Sequence, residues 1–545
     1  MFKNLYKILL LSLLCFVSCN EIKFKSITSD KTLKIKNKKL QSIEDFKNWH
    51  FKDIEIDTLL GISLNRAYDS LLINKKGKDV VVAVIDMPIE INHQGLSNYI
   101  WKNKNEIIGN NIDDDKNGYI DDINGWNFLS NKSGDTNEFV NYEYTRILKK
   151  FQDKKNQYKD SIYFKIYRKA KQKHQERLVY AKEEVEYIYN IFKWKNEAEE
   201  IISVYLKKSK HNLKSLDSLK KIHLKDKKLE EAILKKSNFI KYGFSDKYID
   251  DYKLKAEERI NKLLNLNYND RQIQGDNPEL ITDINYGSPN FKVNTVLLDH
   301  GTKMTGVVVN IAIRDEIKIM PIAISAYGDE HDKDIALAIR YAVDNGAKVI
   351  NMSFAKEFSL KPKLVLDAIK YAEKNNVLLI SGAANENQNI ENKDIHWFPN
   401  DHSYFNNVEI ANNFMKVGSS GVYLNNKLKS SFSNYSKEEV DLFAPGEYIY
   451  STFPKNKFDI IYGGTSSATA ITSGVAALLY SYYPNLTASQ VKQILMDSGL
   501  EYKIEVSTPT KEDKKKMTPF NELSKSGKVL NAYNAFIMAD SISRN

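Results

Sequence analysis

Cysteine is nearly absent from this chain. Only two of the 545 residues are cysteines, Cys15 and Cys19, and both lie within the first twenty residues. No disulfide framework can therefore form beyond residue 19. A chain of this length is expected to hold one large domain with additions, stabilised by packing and by any metal that it binds.

A large excess of one charge is missing as well. The 80 basic residues are balanced by 70 acidic residues, which leaves a net charge of +10. A nucleic-acid-binding protein concentrates its basic excess on one face, so this balance argues against nucleic acid as a partner. The chain also has no HExxH pair. That absence argues against a zinc protease of this type.

A short apolar run follows two lysines at the N-terminus, MFKNLYKILLLSLLCFVSCN. This layout is typical of a signal peptide, and the run is too short to span a membrane comfortably. Its ending, FVSC, resembles a bacterial lipobox, which implies removal of residues 1–18 and acylation of Cys19. An ordinary signal peptide is the alternative. We expect an exported, outer-membrane-anchored lipoprotein that faces the periplasm or the cell surface, with residues 19–45 as a polar tether.

β-branched runs alternate with helical patterns over residues 46–130 and 271–545. The run Val80–Asp86 suits a strand that is buried on both faces, and the periodicity of residues 334–343 suits a helix packed on such a sheet. This alternation predicts an α/β fold, a doubly wound and mostly parallel sheet with helices on both faces. Reactive groups gather at the carboxyl ends of such strands, where Asp86 lies.

Residues 131–270 differ in texture from the rest. They are rich in Lys, Glu and Tyr and contain no glycine between Gly134 and Gly243. A helical hairpin or small bundle inserted into the α/β domain is predicted. It either binds a partner or gates substrate, or it is a solvated spacer that packs only on itself, which is the simpler interpretation. The stripe that predicts its long helix is Leu178, Ala181, Val185, Ile188 and Phe192.

Three motifs carry polar residues suited to nucleophilic catalysis. Asp86 ends a predicted strand, His300 precedes an apolar helix, and Ser466 follows two glycines at the start of a small-residue helix. Singly, each residue has a simpler explanation, as a turn former, a buried histidine and a helix cap. Together they supply the hydroxyl, the base that takes its proton and the carboxylate that orients the base. A helix N-terminus beside the serine favours a developing anion.

These motifs and their flanks resemble the subtilase family of serine endopeptidases. The matching segments are VVVAVIDMPIEINHQGL, HGTKMTGVV and GTSSATAITSGVAALL, in the Asp, His, Ser order of subtilisin. The resemblance implies a subtilisin-like fold and the hydrolysis of protein or peptide substrates through an acyl-enzyme. Asp86 would be the orienting acid, His300 the general base and acid, and Ser466 the nucleophile. No cofactor is implied for the chemistry.

Two more segments extend the resemblance to substrate binding. SGAAN matches the strand end that carries the family's oxyanion asparagine, which implies that Asn385 donates to the oxyanion alongside the Ser466 N–H. VINMSF matches the substrate-lining strand. The substrate-binding residues implied by these segments are Ser353, Phe354 and Gly382.

The chain departs from the family pattern at three positions outside the Asp, His and Ser motif residues. Lys303 replaces a second histidine, Ala384 replaces a glycine and Ala470 replaces a proline. Two alternatives to a peptidase therefore stay open. One is a catalytically inactive subtilase-like scaffold that binds peptides or a partner protein. The other is an esterase that uses the same three residues.

An acidic run, DDDKNGYIDD, occupies residues 113–122. Oxygen-bearing residues at its first, third and fifth positions, with glycine at the sixth, match the first half of a calcium loop. The twelfth position is Asn124 in place of a bidentate glutamate. A solvated acidic loop is the alternative to structural calcium. The predicted ligands are Asp113, Asp115, Asn117, the carbonyl of Tyr119, and Asp121.

Overall fold

A computed structural model describes residues 27–28, 40, 42–152, 162–223, 225–312, 317–391, 396–403 and 408–544. The predicted signal peptide, residues 1–18, and the predicted lipidation site, Cys19, lie outside the described residues. Within these ranges, no helix combines the length and apolar character that a membrane crossing requires.

A ten-stranded sheet lies at the centre of the protein. The strands of the described residues are β1 Ile27–Thr28, β2 Val80–Asp86, β3 Trp126–Asn127, β4 Ile317–Ala323, β5 Val349–Met352, β6 Leu378–Gly382, β7 Phe414–Ser420, β8 Leu442–Pro445, β9 Glu447–Phe453, β10 Lys457–Gly463, β11 Leu500–Lys503, β12 Glu505–Ser507, β13 Met517–Pro519 and β14 Lys528–Val529. Across the sheet the order is β1-β11-β14-β8-β7-β6-β5-β2-β4-β3. Every neighbouring pair from β14 to β3 is parallel. The prediction of a mostly parallel α/β sheet is confirmed.

Helices cover both faces of this sheet. The α-helices of the described residues are α1 Ile43–Asn48, α2 Leu64–Ser70, α3 Glu143–Phe151, α4 Ile162–Ser203, α5 Leu213–Ile222, α6 Lys227–Lys241, α7 Asp246–Glu258, α8 Asp299–Ile311, α9 Asp332–Asp344, α10 Pro362–Lys374, α11 Thr465–Tyr482, α12 Ala488–Ser498 and α13 Ala532–Arg544. Residues of α8, α11, α12 and α13 belong to one apolar core, and residues of α9 and α10 belong to a second.

The central strand β2 shows why its sequence is apolar at nearly every position. Val82 and Val84 lie in the first core, whereas Ala83 and Ile85 lie in the second. Successive side chains of a strand point to opposite faces, so a strand covered on both faces needs apolar residues throughout. Asp86 follows at the carboxyl end, where the strand leaves the cores.

The helical region packs against the sheet domain as well as on itself. Leu178 and Ala181 of the α4 stripe pack with Tyr144 of α3 and with Phe358 and Leu360, which lie between β5 and α10. The interpretation as a spacer whose stripe packs only on itself is therefore wrong for this end of the stripe. Further along α4, the residues Val185, Ile188 and Phe192 pack against α7. The helical region is thus attached at its base to the segment that follows β5.

A buried lysine strengthens this attachment. The Lys356 side chain is fully buried, and its Nζ lies 2.8 Å from Asp332 Oδ1 and 3.5 Å from Glu143 Oε1. It also donates to the Glu330 carbonyl at 2.6 Å. Burial alone would lower the pKa of Lys356, but the charges of Asp332 and Glu143 outweigh burial and raise it. Lys356 thus stays charged and joins α3, α9 and the segment after β5.

Replacing Lys356 by methionine is expected to lower the free energy of unfolding by about 3–5 kcal/mol, because Glu143 and Asp332 lose their buried counter-charge. Urea unfolding followed by circular dichroism measures this loss. Lys363→Met is the matched control, since that side chain is 85% exposed and its one ion-pair partner among the described residues is Asp367 on the same helix. The control should change stability by less than about 0.5 kcal/mol. Equal losses in the two variants would show that the buried ion pairs of Lys356 do not stabilise this attachment.

Candidate active site

The sheet brings Asp86 and His300 into direct contact across 214 positions of sequence. Asp86 is the last residue of β2 and is buried, while His300 lies in the first turn of α8. The Nδ1 atom of His300 and Oδ1 of Asp86 are 2.7 Å apart. Because a carboxylate only accepts, Nδ1 carries the proton of this bond. The other ring nitrogen, Nε2, is then the basic one in the neutral ring.

Glycine at position 301 allows this close approach. A Cβ atom at Gly301 would lie only 2.1 Å from the carbonyl oxygen of Met87, the residue after Asp86. Real side chains do not tolerate such a distance, so any other residue would push the start of α8 away from the end of β2. The HG pair of the motif thus combines a base with the space that the base needs.

The environment of His300 favours its charged form. Burial by itself lowers the pKa of the ring, but the negative charge and hydrogen bond of Asp86, together with the charge of Asp299, raise it above its ordinary value. A neighbouring carboxylate stabilises an imidazolium in this way. The arrangement therefore suits a ring that takes up a proton during a reaction, while 37% of the side chain stays accessible.

Ser466 lines the same cleft. It lies in the first turn of α11, and together with Asp86 and His300 it lines a cavity of about 300 Å³. In the described residues its hydroxyl donates to the carbonyl of Ser353 at 2.9 Å rather than to His300. The Ser353 hydroxyl in turn donates to the Ser466 carbonyl at 3.1 Å. These two bonds connect α11 to the segment after β5.

The other predicted cleft residues line this cavity too: Asn385, Ser353, Phe354 and Gly382. Asn385 is exposed, and its side-chain oxygen accepts the N–H of Thr465 at 2.9 Å. That bond orients the amide and leaves its NH₂ group as the donor available to the cleft.

Ala384 stands where the family has a glycine, and its backbone adopts a conformation that favours glycine. Its φ is +72°, in the left-handed region that glycine adopts without cost and alanine does not. The residue is also buried in the wall of the cleft, so its methyl group occupies space that a glycine would leave open.

Sequence reasoning missed Glu330, a further acid in the cleft. Its side chain is buried and accepts the hydroxyl of Ser325 at 2.6 Å. Burial is the main cause that raises the pKa of Glu330, to about 7. The residue lies seven positions after the end of β4 and two before the start of α9. It is therefore not a strand-end residue like Asp86, and no strand-end signal marked it in the sequence.

The acidic loop brings two of its predicted ligands close to one further acid. Asp113 and Asp115 lie with Glu106, and one oxygen from each lies within 4.8 Å of the others. The Asp121 carboxylate accepts the N–H groups of Gly109 and Asn111 at 2.8 and 3.0 Å.

Two further predicted calcium ligands, Asn117 and Tyr119, make contacts of their own. The side-chain oxygen of Asn117 accepts the N–H of Tyr119 at 2.8 Å. The Tyr119 ring packs against Trp126 at a centroid distance of 5.1 Å. Sequence reasoning missed Glu106, because it stands seven residues before the run and outside any loop spacing. Burial, assisted by the charge of Asp122, raises the pKa of Glu106.

A comparison with models of protein families shows which family the chain belongs to. The family model described as the subtilase family, peptidase S8, matches residues 77–519. The chain belongs to the subtilase family. The match includes the three motifs, eight of the ten strands of the central sheet, and the helical region.

Curated relatives are serine proteases of modest identity. Subtilisin DY of Bacillus licheniformis is 28% identical over 202 residues, which cover 37% of this chain and 66% of that protein. The major intracellular serine protease of Bacillus subtilis (strain 168) is 32% identical over 34% of this chain and 55% of its own. Thermitase of Thermoactinomyces vulgaris is 34% identical over 27% and 45%. The matched regions thus span less than two thirds of each relative.

Among solved structures, a cold adapted subtilisin-like serine proteinase aligns with a TM-score of 0.32 and 24% identity, over 43% of this chain and 74% of its own. The subtilase cytotoxin SubAB structure aligns with a TM-score of 0.38 and 22% identity, over 47% and 81%. The family match and the strand order of this chain carry the fold assignment.

Proposed function

We propose that this subtilase is a serine endopeptidase that hydrolyses peptide bonds through Asp86, His300 and Ser466. Membership of a family of serine proteases supports the reaction class. The observation that carries the residue roles is the 2.7 Å contact between His300 Nδ1 and Asp86, on the wall of a cleft that Ser466 also lines. Protein or peptide is the substrate that this class of enzyme takes.

In the proposed reaction, the Ser466 hydroxyl leaves the Ser353 carbonyl and turns toward Nε2 of His300. Catalytic hydrogen bonds often form only when substrate is bound. His300 takes the hydroxyl proton as Ser466 Oγ attacks the scissile carbonyl carbon, and Asp86 stabilises the imidazolium. The Ser466 N–H and the Asn385 NH₂ group donate to the oxyanion, a contribution of about 3 kcal/mol per donor in subtilisin itself.

Breakdown of the tetrahedral intermediate completes the cycle. The bond from carbon to nitrogen breaks, His300 returns its proton to the leaving amine, and an ester between the substrate and Ser466 remains. Water then attacks this ester with His300 as base again, which releases the carboxylate product and restores the serine.

A fluorophosphonate probe tests the proposal, because it labels an activated serine. We expect one covalent adduct, mapped to Ser466 by mass spectrometry of the labelled peptide, together with cleavage of unfolded casein. A folded protein that neither labels nor cleaves would be the inactive scaffold. Rapid turnover of simple esters without any peptide cleavage would identify the esterase.

We also propose that the mature protein is exported and anchored to the outer membrane by acylated Cys19. The lysines, the apolar run and the lipobox-like FVSC sequence support this location. Metabolic labelling with an alkyne fatty acid, compared between wild type and Cys19→Ala, tests the anchor.

A structural calcium ion is proposed at Glu106, Asp113 and Asp115. Three carboxylate oxygens within 4.8 Å of one another match the hard oxygen ligands that calcium prefers. The raised pKa of Glu106 reflects burial and nearby negative charge, both of which a bound cation would offset. The ion would hold the acidic loop together and would take no part in the chemistry.

Removal of calcium with EGTA is expected to lower the melting temperature by roughly 2–3 °C relative to protein in a hundredfold excess over Kd. Differential scanning fluorimetry measures the shift. Asp115→Asn and Glu106→Gln should abolish the calcium dependence. Asp114→Asn is the control in the same loop, since that carboxylate accepts the N–H of Ile107 and lies outside the cluster. A melting temperature that does not respond to calcium would refute the site.

A further inference from the structure

A second cavity, which we call the side pocket, adjoins the catalytic cleft. Its volume is about 370 Å³, and it shares Ala355, Glu386 and Trp397 with the cleft. Its other wall comes from the helical region. The residues that the helical region contributes and that matter here are Tyr142, Tyr144, Lys173, Arg177, Tyr180 and Arg259.

This wall is held firmly against the cleft. The Tyr144 ring packs on Phe358 at a centroid distance of 6.0 Å, and Lys173 Nζ lies 2.5 Å from Glu357. Buried Lys356 ties α3 to the same segment. That segment begins at Ser353 in the cleft, so the helical region and the substrate-lining residues form one packed unit.

Within the described residues, five of the eight charged side chains that line the side pocket are in ion pairs, and the other three are Asp329, Glu386 and Arg177, of which Arg177 is the cation. Lys173 pairs with Glu357, and Arg259 pairs with Glu184. Arg177 is exposed and has no ion-pair partner within the part of the chain that the structure describes. A cation available to solvent at the wall of a cavity can pair with an acidic group that enters it.

Two tyrosine rings form part of the same wall. Tyr142 and Tyr144 line the pocket together with Arg177, and their rings stack at a centroid distance of 5.1 Å. The apolar stem of an entering side chain can pack on such rings while its polar end stays free to meet a cation of the cavity.

We propose that the side pocket is a substrate subsite in which Arg177 binds an acidic side chain of the peptide. The inference rests on the proposed function, because a peptide must lie in the cleft to reach this pocket. Glu386 at the junction and Asp329 in the pocket wall repel a carboxylate placed beside them, so the subsite favours an acidic residue only at the peptide position whose carboxylate reaches Arg177.

A series of internally quenched peptides tests this specificity. Glu, Gln and Lys are placed in turn at the second, third and fourth positions on both sides of the scissile bond of a casein-derived peptide. At one of these positions kcat/KM should be about two- to fivefold higher for Glu than for Gln, the range of a partly exposed ion pair. Arg177→Glu should invert this preference toward Lys. Arg168→Glu, at an exposed arginine of the same helix outside the pocket, should leave it unchanged.

Identical Glu, Gln and Lys profiles for wild type and Arg177→Glu would overturn the subsite. Failure of the proposed function looks different, because then no peptide is cleaved and no probe labels Ser466. Peptide affinity decides the subsite in either case. The Ser466→Ala variant should bind the Glu peptide more tightly than the Gln peptide in fluorescence anisotropy, and adding Arg177→Glu should reverse that order. Equal affinities in both backgrounds would refute the proposal.

Discussion

Replacing Ser466 by alanine is expected to lower kcat for peptide hydrolysis by about 10⁶-fold, a magnitude that comes from subtilisin itself. The substitution removes the attacking oxygen, so no acyl-enzyme can form. The loss should appear in kcat rather than in KM, because the proposed substrate-binding residues Ser353 and Phe354 are unchanged in the variant. Single-turnover kinetics with a quenched peptide, together with loss of fluorophosphonate labelling, measures the effect.

Ser481→Ala is the matched control for this variant. Ser481 lies near the other end of α11, where its hydroxyl donates to the Lys78 carbonyl at 2.8 Å. Its removal should cost about 1 kcal/mol of stability and leave kcat unchanged. If Ser466→Ala kept more than a hundredth of wild-type activity, another group would have to be the nucleophile. The proposed roles of His300 and Asp86 would then fail with it.

The strands could be predicted from the sequence because their local composition matches the environment that they occupy in the fold. A run such as Val80–Ile85 is apolar throughout since both sheet faces are covered, and its short length and β-branched residues favour a strand over a buried helix. The start of α8 could be predicted for a related reason. Its histidine, its glycine and its apolar continuation each report a contact that this helix makes with β2 or with the core.

The side pocket and the acidic cluster could not be read in the same way. Arg177 and Ala355 meet at one cavity only because α3 and α4 pack on the segment after β5, and no spacing in either stretch encodes that packing. Glu106 joins Asp113 through a turn of the chain, not through a repeat. Such sites depend on which surfaces meet, and side-chain pattern alone predicts burial rather than partners.

The rotamer of Ser466 illustrates a second limit. The sequence places a serine at a helix N-terminus, but the direction of its hydroxyl depends on which acceptors surround it. In the structure the Ser466 hydroxyl donates to the Ser353 carbonyl. A motif therefore predicts which groups share a cleft, whereas the partner of each hydrogen bond depends on the acceptors that the fold places beside the hydroxyl.

Asp86→Asn is expected to lower kcat by about 10⁴-fold while the fold persists. An asparagine can donate to Nδ1 of His300, which would then leave the proton on Nε2 and remove the base. Asp299→Asn is the control, because that carboxylate is exposed, pairs with Lys303 and contributes less than Asp86 to the His300 pKa. It should shift the pH profile slightly and leave the maximal rate unchanged.

The pH dependence separates the electrostatic role of Asp86 from a packing role. In wild type, kcat/KM should rise along a limb centred above the ordinary histidine value of about 6.5, since the neutral ring is the base and its pKa is raised. In Asp86→Asn the limb should move to lower pH. The contribution of Asp86 to stability depends on pH in the opposite direction. A raised histidine pKa stabilises the fold at pH values below the pKa of the ring in the unfolded chain, and this contribution is lost as pH rises through the pKa of the ring in the folded protein. The variant should therefore lose more unfolding free energy at pH 5 than at pH 9, and an equal loss at both would show that Asp86 acts through packing alone.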